Sequence, residues 1–173
     1  MGYAGGISED PTYRSIGDHS EAIEITYDSN VISYEELLEV FWKAHSPLAQ
    51  PFSMQYMSRI LYSSNAQRRA AEKSKIEYEK EIGQPVHTEI KKLDVFYQAE
   101  DYHQKYTLQS YTEIFQTLQQ QYPDMQDLIE STAAARLNGY LAGYGTAARL
   151  QAEIDTLGLS ESGKETLQKW VNR

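Results

Sequence analysis

The chain has 173 residues, 40% of them hydrophobic, with 25 acidic against 16 basic side chains and a formal net charge of −9. This length and composition predict one compact domain with a hydrophobic core. The negative charge argues against nucleic acid and anionic membrane surfaces as partners, because it repels phosphate groups.

Cysteine does not occur in the sequence. Its absence excludes disulfides, thiolate metal ligands and cysteine nucleophiles within these residues. No apolar run reaches the length of a membrane span, and Met1–Gly6 lacks the charged and apolar regions of a signal peptide. The default expectation is therefore a cytoplasmic protein without a membrane partner.

Hydrophobic patterns near the start of the chain predict both strands and helices. Met1–Gly17 holds most of the early glycines and has no helical periodicity, so it predicts an extended segment and a loop. Apolar and polar residues alternate over Glu21–Tyr27, which is typical of a half-buried strand. Ser33 and Glu36 form a capping-box pattern at the start of an amphipathic helix that ends near Ala44.

Residues 45–106 continue this mixture. Pro47 and Pro51 prevent regular structure around them. The predicted elements are a strand at Ser58–Tyr62, a charged helix that Asn65 caps and that runs to about Ile82, where Gly83 stops it, strands at Val86–Leu93 and Val95–Tyr97, and a helical segment near Glu100–Tyr106.

The pattern changes from about Leu108 onward. Helical periodicity dominates there, with breaks at Pro123, at residues 139–145 and at residues 158–160. We expect this part to be an all-helical extension that packs on the first part of the chain.

Three tyrosines lie in segments without regular periodicity, where core packing does not explain them: Tyr3, Tyr13 and Tyr56. Each hydroxyl is a candidate for binding a ligand. The alternative is a ring that packs on the core with its hydroxyl at the surface, since tyrosine has both an apolar body and a polar tip.

Glu21 is a candidate proton donor. It begins a predicted strand on the same face as Ile23 and Ile25. A carboxyl group that faces an apolar interior tends to stay protonated and can donate its proton to a substrate oxygen. The alternative is a glutamate in solvent at the end of the strand, because glutamate is seldom buried without a partner.

The four histidines do not form a metal-binding pattern. His19, His45, His87 and His103 are scattered, and no pair has the four-residue spacing of a helical metal site. Without cysteines to support them, the sequence predicts neither a metal centre nor a bound cofactor.

A series of short segments runs through about residues 2–107 in the order and spacing of one known family. The segments are Gly2–Gly6, Pro11–Ser15, Gly17–Ala22, Tyr27–Asp28, Ile32–Leu38, Phe41–Trp42, His45–Pro47, Gln55–Ser58, His87–Ile90 and Phe96–Tyr106. As an ordered series they resemble the peptide methionine sulfoxide reductase A family. The helical tail is similar to extensions on some of its members.

The resemblance implies a reaction and roles for three side chains. In the family, a cysteine in a Gly-Cys-Phe-Trp element attacks the sulfur of methionine S-sulfoxide, which gives methionine and a cysteine sulfenic acid, and thioredoxin or a resolving cysteine restores the thiol. Glu21 would protonate the sulfoxide oxygen, and Tyr13 and Tyr56 would hydrogen-bond it. The implied partners are methionine sulfoxide in oxidised proteins and, for a full-length form, thioredoxin.

The resemblance also sets the expected fold. It begins at Gly2–Gly6, downstream of the family's catalytic element, first strand and first helix. We therefore expect an α+β fold with a two-layer mixed sheet and packed helices, a ferredoxin-like-type core that lacks its first strand and helix. The expected domains are an incomplete reductase-like domain over residues 1–107 and the helical extension over residues 108–173. Any organelle-targeting segment would lie in the missing portion.

The segment between His45 and Tyr56 departs from the family pattern. Many members have a longer loop there, with an Asn-Arg-Gln-Gly stretch and an aspartate that contacts substrate, whereas Ser46–Gln55 contains no acidic residue. Since some members share the short loop, it indicates a subfamily. The role of the aspartate is left unassigned.

Three functions stay open without a nucleophile in the chain. The first is a truncated form of a methionine S-sulfoxide reductase, inactive as written. The second is a pseudoenzyme that keeps Glu21, Tyr13 and Tyr56 and binds oxidised methionine without reducing it. The third is an interaction protein whose helical tail docks a partner, although apolar residues such as Leu137 and Leu141 would equally cover the chain's own core.

Overall fold

The computed structural model describes residues 1–49 and 51–173. Gln50, in the proline-containing segment predicted to be irregular, lies outside the described residues. The chain divides into two compact units, Met1–Glu100 and Asp101–Arg173. Strands and helices both occur, which confirms the predicted α+β class. The domain boundary expected between residues 107 and 108 stays a prediction.

The described residues of the first unit form five short strands in two sheets. They are β1 (Gly2–Ala4), β2 (Ser20–Ala22), β3 (Arg59–Tyr62), β4 (Glu89–Lys92) and β5 (Phe96–Gln98). The first sheet has the order β2–β1–β5, with β1 antiparallel to both neighbours, and the second pairs β3 and β4 in parallel. Tyr3 in β1 lies opposite Glu21 on one side and Tyr97 on the other.

The strand predicted over Glu21–Tyr27 is shorter than expected. Within the described residues only Ser20–Ala22 pairs, opposite the three residues of β1. Ile23 and Ile25 are 73% and 50% exposed. The expectation that they face an apolar interior together with Glu21 is therefore wrong within the described residues.

Two α-helices accompany these strands among the described residues of the first unit. Helix α1 (Tyr34–Ala44) begins with the predicted capping box, in which the Glu36 amide donates to Ser33 Oγ at 3.2 Å and the Ser33 amide donates to Glu36 Oε2 at 2.8 Å. Hydrogen bonds that the Ser33 amide and the Ser33 hydroxyl donate to the Glu36 carboxylate hold the pKa of Glu36 below its ordinary value. Helix α2 (Asn65–Ile82) is capped by Ser64 rather than by Asn65, and it ends at Gly83, whose φ of 74° is readily adopted only by glycine.

Helix α2 connects the two parallel strands, and a small apolar core lies beneath α1 and α2. Its buried members are Leu38, Trp42, Ile60, Ala71 and Val86. The Trp42 ring stacks on Tyr78 with 5.0 Å between centroids, and its Nε1 donates to Ser74 Oγ at 3.1 Å. The indole N–H is therefore satisfied although the ring is buried.

The second unit consists of short helices. They are α3 (Tyr106–Gln109), α4 (Thr112–Gln121), α5 (Met125–Glu130), α6 (Thr132–Leu141), α7 (Ala147–Glu153) and α8 (Glu161–Val171). Three breaks fall at the predicted proline and glycine positions, whereas those at Ser110–Tyr111 and Ser131 were not predicted. Ser, Thr or Asp side chains cap α5 to α8.

One apolar cluster holds the second unit together. Leu108, Leu118, Leu128, Leu137 and Leu167 each have an exposed fraction of 0% within it. Trp170 of α8 is partly buried against the same cluster. Across residues 1–49 and 51–173, no helix combines the length and the apolar character that crossing a bilayer requires.

Candidate functional site

The three residues to which the resemblance assigns roles lie on different elements of the first unit. Glu21 is the middle residue of β2, and Tyr13 lies in the loop that joins β1 to β2. Tyr56 ends a one-turn 3₁₀ helix, Met54–Tyr56. Residues 13, 21 and 56 are therefore brought together only by tertiary structure.

The two tyrosines meet through their hydroxyl groups. A hydrogen bond with Tyr13 raises the pKa of Tyr56 above its ordinary value, and desolvation and the negative charge of Glu21 raise it further. The Tyr13 and Tyr56 side chains are 41% and 47% exposed. Two phenols and a carboxyl group thus form a cluster that a ligand can reach; we call Glu21, Tyr13 and Tyr56 the oxygen cluster.

Tyr13→Phe should lower the pKa of Tyr56 toward its ordinary value. The phenol proton of Tyr56 is held by the bond to Tyr13, so removing that hydroxyl makes the proton easier to lose. Tyrosine labelled with ¹³C at Cζ would show the titration of Tyr56 by NMR, with Tyr56→Phe assigning the signal. Tyr144→Phe, which alters a 74% exposed ring of the second unit, is the matched control. An unchanged Tyr56 titration in Tyr13→Phe would contradict the pairing.

A fourth side chain binds the oxygen cluster and was missed by sequence reasoning. Gln55 Nε2 donates a hydrogen bond of 2.6 Å to Glu21 Oε1. One carboxyl oxygen is thereby occupied, which leaves Oε2 as the atom that carries the proton when Glu21 is protonated. Gln55 directly precedes Tyr56, but no sequence pattern distinguishes a glutamine that binds a carboxyl group from one that faces solvent.

A second bond joins the same two segments of the chain. Ser20 Oγ donates to the carbonyl oxygen of Met54 at 2.6 Å. Ser20 Oγ also accepts a bond of 2.9 Å from Arg59 Nη1. Residues 20–21 and 54–55 are therefore held side by side by two neighbouring hydrogen bonds.

Glu100 anchors the loop that carries Tyr13. Its Oε2 accepts from the Tyr3 hydroxyl at 2.6 Å, and its Oε1 accepts from the Tyr13 amide at 3.2 Å. Tyr3 is 1% exposed. The structure thus places Tyr3 in the core of the first sheet, with its hydroxyl in a structural bond, rather than among the exposed groups.

Asp18 and His19 hold the beginning of the same loop, at Gly6–Ser8, in place. Asp18 accepts from the Ser8 hydroxyl at 2.7 Å and from the backbone amides of Ile7 and Ser8, and these bonds hold the pKa of Asp18 well below its ordinary value. His19 Nδ1 accepts from the Gly6 amide at 3.1 Å, and Nε2 lies 2.8 Å from the Ser8 carbonyl oxygen, to which it donates. Both side chains therefore fix the path of the backbone.

The described part of the chain offers no metal site: no three His, Asp or Glu side chains come together there in an arrangement that could hold an ion. The chemistry that the oxygen cluster can perform is hydrogen bonding and proton transfer. Phenols donate hydrogen bonds, and a protonated carboxyl group donates both a hydrogen bond and a proton. The cluster can therefore bind one electron-rich oxygen atom and neutralise charge that develops on it.

Two family models match the chain. A model described as peptide methionine sulfoxide reductase matches residues 1–136. A second, described as selenoprotein methionine sulfoxide reductase A, helical domain, matches residues 124–171. Together they cover almost the whole chain, including all members of the oxygen cluster.

Individual relatives agree with the family models. The chain is 43% identical to peptide methionine sulfoxide reductase of Drosophila melanogaster over 167 residues, which cover 95% of this chain and 67% of the relative. It is 36% identical to peptide methionine sulfoxide reductase A5 of Oryza sativa subsp. japonica over 166 residues, covering 91% and 65% of the two chains. The match to the reductase MsrA of Saccharolobus solfataricus is 44% identical over 111 residues, covering 59% and 63%. The chain thus spans about two thirds of the length of these curated relatives.

Proposed function

Because this chain belongs to the peptide methionine sulfoxide reductase family, we propose that its oxygen cluster binds and protonates the oxygen of methionine S-sulfoxide. The observation that supports the proposal is the meeting of the Tyr13 and Tyr56 hydroxyls beside Glu21, on side chains that remain accessible. The three residues come from separate elements, so no single local motif explains their meeting.

The chemistry of a sulfoxide suits this cluster. The sulfur–oxygen bond is strongly polarised toward oxygen, so the oxygen accepts hydrogen bonds well and the sulfur is a weak electrophile. Hydrogen bonds from Tyr13 and Tyr56 withdraw electron density from the sulfur, and a proton from Glu21 makes the oxygen able to leave it. Gln55 would keep the proton on Oε2, because Gln55 donates its bond to Oε1.

The reduction itself needs a thiol. A thiol sulfur attacks the sulfoxide sulfur, the sulfur–oxygen bond breaks, and the oxygen passes to the attacking sulfur; the thioether is released and the thiol becomes a sulfenic acid. Two electrons pass from the thiol sulfur to the sulfoxide sulfur. Met1–Arg173 contains no cysteine, so we propose that these residues alone bind the sulfoxide and do not reduce it.

Regeneration of the thiol is a further part of the proposal. In the family scheme, thioredoxin reduces the sulfenic acid or the disulfide that follows from it. The whole protein would then take part in the repair of oxidised methionine under oxidative stress, with oxidised proteins as substrates. No cofactor would be bound.

Binding and reduction are tested separately on the 173-residue chain. N-acetyl methionine S-sulfoxide, its R epimer and N-acetyl methionine are titrated while ¹³Cζ tyrosine signals are recorded. We expect saturable shifts of the Tyr13 and Tyr56 signals with the S epimer and none with methionine, which has no oxygen on sulfur. Turnover of the S epimer with dithiothreitol should be absent.

Each outcome has a distinct meaning. No saturable shift with the S epimer would sink the proposed oxygen-binding role. Formation of methionine by the chain alone would show that reduction proceeds without a protein thiol and would overturn the proposed division of labour. Binding without turnover would support the proposal and is also the behaviour of the pseudoenzyme considered above.

A further inference from the structure

We infer that Arg59 is a positioning residue of the oxygen cluster: its buried guanidinium holds Ser20, and through Ser20 it holds the Met54–Tyr56 turn against β2. The inference rests on the proposed function for the role of Glu21 and Tyr56. The geometry from which it is argued does not depend on that role.

Arg59 is a buried cation with two polar partners on different elements. Its side chain is 6% exposed, and its Nε donates to Glu89 Oε2 at 2.6 Å. Arg59 and Glu89 lie opposite each other on β3 and β4. Its Nη1 reaches in another direction, to Ser20 Oγ at 2.9 Å. Arg59 thereby links the parallel sheet to the antiparallel sheet that carries Glu21.

The Ser20 side chain lies between Arg59 and Met54 and is hydrogen-bonded to both. Ser20 is 2% exposed. Its hydroxyl accepts from Arg59 and donates to the Met54 carbonyl oxygen at 2.6 Å. Because a hydroxyl has only one proton, the bond from Arg59 ensures that this proton points at Met54. Glu21 and Gln55 directly follow Ser20 and Met54 in the chain. They are therefore held close enough for Gln55 Nε2 to donate to Glu21 Oε1 at 2.6 Å.

The planar guanidinium suits this task better than an ammonium group. Its rigid fork presents donors in fixed directions, so it can satisfy Glu89 and Ser20 at the same time. Gly5 leaves room for it, because a Cβ at that position would lie 3.1 Å from Arg59 Nη1. A lysine at position 59 would keep the positive charge but would not present a second donor in a fixed direction.

The test uses the whole chain with Arg59→Lys and Ser20→Ala. Ser20→Ala leaves the Arg59–Glu89 ion pair intact and removes both bonds of the Ser20 hydroxyl, the one from Arg59 and the one to Met54. We expect the pKa of Tyr56 to fall toward its ordinary value in both variants, because the turn moves away from Tyr13 and Glu21. We also expect binding of N-acetyl methionine S-sulfoxide to weaken about tenfold, as for the loss of one well-placed hydrogen bond. Arg68→Lys, in an exposed pair with Glu72, and Ser46→Ala, at an exposed serine, are the controls.

The outcomes separate positioning from stability. A folded Ser20→Ala chain, judged by circular dichroism and thermal melting, whose Tyr56 titrates as in the parent would overturn the inference, even if Arg59→Lys fails to fold. A lowered Tyr56 pKa in Ser20→Ala with normal titration in both controls would support it. If the parent chain does not bind the sulfoxide, the proposed function fails, while the Tyr56 titration still decides the role of Arg59.

Discussion

Glu21→Gln is expected to lower kcat/KM for methionine S-sulfoxide by about 10²–10⁴-fold once a thiol is supplied, the usual contribution of a general acid. An amide is nearly isosteric with the carboxyl group and can still accept the bond from Gln55, but it cannot give up a proton to the sulfoxide oxygen. The loss should therefore appear in kcat rather than in binding, because the oxygen gains most of its basicity as the sulfur–oxygen bond breaks.

The measurement needs a form of the protein that carries a thiol. A fusion that places the family's Gly-Cys-Phe-Trp element ahead of Gly2–Gly6 supplies it, and methionine formation is followed with dithiothreitol as reductant. Glu24→Gln is the matched control, since Glu24 is an exposed glutamate only three residues further along the chain. Equal activity of Glu21→Gln and Glu24→Gln would remove Glu21 from the proposed mechanism.

Leu137→Ala should cost the second unit about 2–5 kcal/mol of stability. Leu137 is 0% exposed in α6 and lies in the apolar cluster of that unit. Truncation removes buried methyl groups and leaves a cavity, and helices of only four to eleven residues have little intrinsic stability with which to compensate.

Tryptophan fluorescence can measure the free energy of unfolding of the second unit separately. The chain has two tryptophans, one in α1 of the first unit and Trp170 in α8 of the second. A Trp42→Phe background leaves Trp170 as the reporter. Its ring packs edge-on against Tyr111, with 5.5 Å between the ring centroids. Tyr144→Ala, at a 74% exposed ring, should change the free energy of unfolding by less than about 0.5 kcal/mol. A similar effect of both variants would show that the leucine cluster does not stabilise the unit.

Most of the helix prediction depended on patterns among residues that are close together in the sequence. The capping pattern of Ser33 and Glu36 and the stop at Gly83 act within a few residues, so the sequence indicates them directly, and the structure confirms both. The strands were predicted too long at Glu21–Tyr27 and Val86–Leu93. A strand exists only where a partner lies beside it, and the length of β1 or β3 cannot be read from the sequence of the segment that pairs with it.

The polar network of the site was less accessible to sequence reasoning. Tyr13 and Tyr56 stood out because they lie in irregular segments, but their meeting beside Glu21 was implied only by the family resemblance. Arg59 and Gln55 could not have been assigned, because their partners lie 30 to 39 residues away in the sequence.

The topology of the first sheet governs when the site can form during synthesis. β1 lies between β2 and a strand that ends only at Gln98, and Glu100 holds Tyr3 and Tyr13 across sequence separations of 97 and 87 residues. Pairing between such distant residues requires a long loop to close, and closure costs entropy before the new contacts stabilise the chain. This cost slows folding. A nascent chain therefore cannot order the Tyr13 loop until Glu100 has left the ribosome, and until β5 has emerged β1 lacks one of its neighbours.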